Sequence, residues 1–108
     1  MKTIRFGDAL QEFSEEFALA RNASEILPEI LGPSASLVEA EWGLENDLKG
    51  RALITLRLKD FTGEVVGKFA PDELRSPSQT SFRLYRLWGD LLQVQNEMQL
   101  KALQESRV

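Results

Sequence analysis

The chain has 108 residues, 43% apolar and 28% charged, with a formal net charge of −4. That is enough for one folded domain, too short for two ordinary ones, and too apolar to stay disordered. With no Cys and no His, disulfides, thiol nucleophiles, imidazole bases and the common zinc ligand sets are excluded.

An acidic chain is a poor match to nucleic acid, which calls for a clustered basic surface. No apolar run approaches the ~20 residues of a membrane-spanning helix. The opening residues Met1-Lys2-Thr3-Ile4-Arg5-Phe6 contain no apolar leader, so a signal peptide is not expected. A cytoplasmic protein, acting without nucleic acid, membrane, metal or cofactor, is the resulting expectation.

Phe6, Leu10, Phe13, Phe17 and Ala20 recur at spacings of three and four, which predicts a helix over about 7–21 with these residues on one face. Asp8 is its expected N-cap, with Glu12, Glu15 and Glu16 near the positive end of the macrodipole. Asn22-Ala23-Ser24-Glu25 reads as a fresh cap. A second helix over about 23–31 should follow, shortened or kinked by Pro28 and stopped at Gly32-Pro33.

The middle of the chain alternates. Val38, Ala40, Trp42 and Leu44 interleave with Glu39, Glu41, Gly43 and Glu45. Ala52, Ile54, Leu56 and Leu58 interleave with Leu53, Thr55, Arg57 and Lys59. Period two predicts strands over about 36–45 and 51–59, with a third over about 64–70 after the turn Asp60-Phe61-Thr62-Gly63. Placing Glu45 opposite Arg51 sets Trp42 on Ile54, Ala40 on Leu56 and Glu39 on Arg57, so apolar meets apolar and acid meets base. Lys59 opposite Glu64 puts Val65 and Phe69 on the core face, and Lys68 beside Thr55 and Glu41 on the other.

Ser76-Pro77-Ser78-Gln79 has a Ser N-cap, Pro at the first helical position and Gln at the third. It opens a helix over about 77–106 that carries two apolar stripes. Leu84, Leu87, Trp88, Leu91, Val94 and Met98 form the first. Phe82, Tyr85, Gly89, Leu92, Asn96, Leu100 and Leu103 form the second, about 150° round at 100° per residue. At ~45 Å the helix exceeds the ~34 Å diameter of a compact domain of this length. A kink at Gly89, or enclosure of both stripes, would accommodate it. Packing of the second stripe on a partner chain would too, with Gly89 allowing close approach and Asn96 setting register.

Three groups of charged side chains are candidate sites. Glu12, Glu15 and Glu16, and separately Glu39, Glu41 and Glu45, are carboxylate clusters whose expected role is a solvated helix face and an exposed charge ladder. Arg75, Arg83 and Arg86, near the start of the last helix with Ser78, Thr80 and Ser81, form a candidate anion site. The order helix, three antiparallel strands, helix is similar to that of the double-stranded-RNA-binding domain. The resemblance is one of topology, and RNA binding is not implied where only three Arg open the last helix of an acidic chain.

The expected fold is a single α+β domain: N-terminal helices, a three-stranded antiparallel meander and a long C-terminal helix packed on one sheet face. The expected function is a non-enzymatic protein-interaction or adaptor domain, a homodimer through the second stripe, with no catalytic residues. The alternative is a small regulatory domain that binds an anionic ligand near Arg75, Arg83 and Arg86.

Overall fold

The computed structural model describes residues 1–105 and has a mixed α+β fold. In chain order it runs β1 (Thr3–Phe6), α1 (Asp8–Gln11), α2 (Ser14–Leu31), a 3-10 turn (Gly32–Leu37), β2 (Glu39–Asn46), β3 (Ala52–Asp60), β4 (Gly63–Phe69), α3 (Pro71–Arg75) and α4 (Pro77–Glu105). Ser106, the last residue of the expected helix, lies outside the described residues.

The sheet has four strands in the order β1-β2-β3-β4, not three, and it is not purely antiparallel. β1 pairs with β2 in parallel, Ile4 beside Ala40 and Phe6 beside Trp42. Periodicity misassigns this strand because Phe6 sits four residues before Leu10, a helical spacing, while Thr3-Ile4-Arg5-Phe6 also alternates. Four residues cannot decide between the two periods. Distant partners decide. The Lys2 amide donates to the carbonyls of Ala35 and Val38 at 3.1 Å, and the Gly7 amide to that of Trp42 at 2.8 Å. The parallel strand also departs from the double-stranded-RNA-binding order.

The two expected N-terminal helices are divided elsewhere. The break falls at Glu12-Phe13, after a four-residue α1, and α2 then runs unbroken through Arg21-Asn22 and through Pro28. Gly7, not Asp8, is the N-cap residue of α1. Continuity of α2 follows from its buried face. Ala20, Ala23, Leu27, Ile30 and Leu31 lie on one line that the core covers from end to end. Pro28 stands in the last turn, where it removes a single hydrogen bond. Gly32 closes the helix at φ 60°, a conformation that side chains rarely adopt.

β2 and β3 pair as Ala40↔Leu58, Trp42↔Leu56 and Leu44↔Ile54, with Glu39↔Lys59 and Glu41↔Arg57. Each partner lies two residues beyond the expected one. Asp47 explains the shift. Its Oδ1 accepts the amides of Lys49 at 2.8 Å and Arg51 at 2.9 Å, which draws Arg51 into the turn so that pairing starts at Asn46↔Ala52. A two-residue shift leaves every side chain on its face, so core and ladder survive it. β3 and β4 pair as expected, Lys59↔Glu64 and Thr55↔Lys68. Lys68 bonds to Glu45, not Glu41, at 2.7 Å.

The inner face of the sheet meets α1, α2 and α4 in one contiguous core that includes Leu10, Leu27, Trp42, Leu56, Phe69 and Leu91. Gly67 sits where a Cβ would lie 3.0 Å from the Phe69 ring and 3.2 Å from Leu87, so its missing side chain lets α4 approach β4. No helix among the described residues is long and apolar enough to cross a membrane.

The outer face carries no helix residue of that core and reads as charge rows across the strands, Arg5-Glu41-Arg57 and Glu39-Lys59-Glu64. Arg57 also reaches Glu64 at 3.6 Å, with both side chains half exposed. Exposed pairs of this kind contribute little. Glu41→Gln is therefore expected to change unfolding free energy by less than ~1 kcal/mol in urea titration. A loss of several kcal/mol would mean that this face is covered.

Candidate interaction surface

α4 starts where the sequence places it. The Gln79 amide donates to Ser76 Oγ at 3.4 Å and the Thr80 amide to the Ser76 carbonyl at 2.9 Å. Arg83 then fixes the first turns to the body. Its guanidinium pairs with Glu73, donates to the Lys68 carbonyl at 2.9 Å and lies 4.9 Å from the centre of the Phe69 ring. Further along, Gln95 Nε2 donates to Asp60 Oδ2 at 2.6 Å, tying the helix to the β3–β4 turn.

Between these anchors the helix is continuous, with no break at Gly89, and the two stripes meet different fates. Leu84, Leu87, Trp88 and Leu91 are buried, and Val94 is half buried against the core. Met98, toward the far end of the helix, is exposed. The long axis of the molecule is 53 Å against 31 and 24 Å across. The second stripe lies in solvent: Phe82 is 65% exposed, Tyr85 57%, Leu92 38%, Leu100 59% and Leu103 60%. Gly89 and Asn96, between them, are exposed too, and a Cβ at Gly89 would find nothing within 4 Å.

The three arginines do not form one open anion site. Arg75 pairs with Glu15 and Asp72, and the Glu15 carboxylate holds its pKa above the ordinary arginine value. Arg83 is engaged as described. Arg86 is exposed and forms no ion pair among the described residues. With Lys68, Arg83 and Asp90 it lines a shallow cleft of about 400 Å³ along β4, from which Arg75 is absent. Glu12 is exposed in the break between α1 and α2, and Glu16 is partly exposed in the first turn of α2; among the described residues no group of three or more carboxylates is placed to hold a metal ion.

One surface feature was not read from sequence. Leu37, Phe61 and Met98, all exposed, border an apolar groove of about 390 Å³ between the 3-10 turn, the β3–β4 turn and the far end of α4. Its walls come from three distant segments, so no local pattern marks it. No protein family, curated protein or solved structure matches the chain.

Proposed function

We propose that this chain is a non-enzymatic protein-interaction or adaptor domain that pairs with a second copy of itself through the outer face of α4. The observation that carries the reading is the row of large apolar side chains, Phe82, Tyr85, Leu92, Leu100 and Leu103, left exposed along one side of that helix. Full burial of a side chain of this size is worth ~1.5–3 kcal/mol, and a contiguous exposed row is the mark of an association surface. Closed two-fold dimers are the commonest soluble assembly. The anion-site alternative has less support, since Arg75 and Arg83 already hold carboxylates of their own chain. A cytoplasmic location belongs to the same reading and rests on the absence of Cys.

Light scattering at micromolar concentration tests it. The wild type is expected at about twice the 12.2 kDa chain mass. Leu92→Asp should fall to the monomer mass with its helical circular dichroism retained, because Leu92 supports no part of the core. A wild-type monomer at that concentration would overturn the reading.

A further inference from the structure

We propose that the two α4 helices pair antiparallel about a two-fold axis between Leu92 and Gln93, with Arg86 of each copy bonded to Glu97 of the other. This rests on the reading that the outer face of α4 binds a second copy, and it adds orientation and register.

In an antiparallel pair each residue faces the one equally far beyond the axis, and each flank of the stripe meets the same flank of the other helix. With the axis between Leu92 and Gln93, Phe82 meets Leu103, Tyr85 meets Leu100, and the two Leu92 residues flank the axis, one position apart along the helices. Each aromatic ring then lies on an aliphatic side chain. Asn96 meets Gly89, so the one polar residue of the line fits over the one that has no side chain. Gly89 has no side chain in the way, and among the described residues nothing beyond its own stretch of helix lies within 4 Å of a Cβ placed there.

Charge follows the same arithmetic. Arg86, Gln93, Glu97 and Gln104 lie along one flank of the stripe, at 100° per residue. The axis brings Arg86 within two residues of the position opposite Glu97, twice over by symmetry, and sets Gln79 near Gln104. Asp90 stands on the same flank, about 20° beyond Glu97. A parallel pair would stack Gly89 on Gly89 and Asn96 on Asn96. It would also turn Arg86 and Glu97 toward the uncharged flank of Ser81, Gln95 and Gln99.

The pairing has room. The buried stripe lies about 150° from the exposed one, so the two sheets stand on opposite outer sides of the helix pair. About that axis the described helices overlap over residues 80–105, a strip ~39 Å long and ~10 Å wide. Two such strips give ~800 Å² before surface relief is counted, in the range of small, weak interfaces.

The chain has no Cys, so introduced thiols report on geometry alone. Under mild oxidation Leu92→Cys is expected to run as a disulfide-linked dimer on a non-reducing gel. Phe82→Cys and Leu100→Cys should each stay unlinked, while the double variant Tyr85→Cys/Leu100→Cys links. Arg86→Glu and Glu97→Arg should each weaken the dimer by about fivefold to tenfold, and the two together should return to within about threefold of wild type. Linkage at Phe82→Cys or Leu100→Cys alone, or charge variants without effect, would overturn the register while the dimer stands. A wild-type monomer would remove the register and the reading beneath it together.

Discussion

Trp42→Ala is expected to lower unfolding free energy by about 3–5 kcal/mol, the ordinary cost of removing a large aromatic side chain from a core that cannot collapse around the gap. Trp42 is fully buried on β2, flanked by Phe6 on β1 and Leu56 on β3, with the Phe69 ring centred 6.4 Å away. It is the side chain on which the parallel strand and the meander meet. Its Nε1–H finds no acceptor among the described residues, and a buried donor left unpaired costs about 1–3 kcal/mol. Trp42→Phe removes that donor along with part of the ring, so its net loss should stay below about 2 kcal/mol, well short of the alanine variant. Urea unfolding followed by circular dichroism reads both. Equal losses for Phe and Ala would show that the indole nitrogen is satisfied in solution.

Asp60→Ala should cost about 2–3 kcal/mol, more than its place beside a surface turn suggests. The side chain is buried. One oxygen accepts the Thr62 amide at 2.8 Å and the Thr62 hydroxyl, and the other accepts Gln95 Nε2. Removing the carboxylate strands those donors and unties the β3–β4 turn from the middle of α4. Burial by itself would raise the Asp60 pKa, but the hydrogen bonds from Thr62, Gln95 and Gly63 outweigh it and hold the carboxyl below its ordinary value of 3.8. A folded pKa below the unfolded one means stabilisation that is present in full above the unfolded pKa and lost as pH falls through the folded one. Stability should therefore drop in acid below about pH 4. The drop should be shallower in Asp60→Asn, which has no charge to lose. An unchanged acid limb in that variant would show that Asp60 is not held ionised by its donors.

What the sequence determined by itself was whatever repeats at short range. Alternation over eight or nine residues settled the faces of β2 and β3. The Ser76-Pro77 cap settled where α4 begins, and spacings of three and four settled its two stripes, since a side chain's direction on a long regular element depends only on its position. Tertiary structure decided what depends on a distant partner. Thr3–Phe6 became a strand because β2 lay open beside it. α2 ran through Pro28 because the core covered its whole face. The Asp47 side chain moved the β2–β3 pairing by two residues. Arg75 and Arg83 were taken up by Glu15 and Glu73, which no spacing along the chain brings near them. The fate of the second stripe was a tertiary matter as well. The sheet has one inner face, and the second stripe, about 150° round α4 from that contact, is turned away from it.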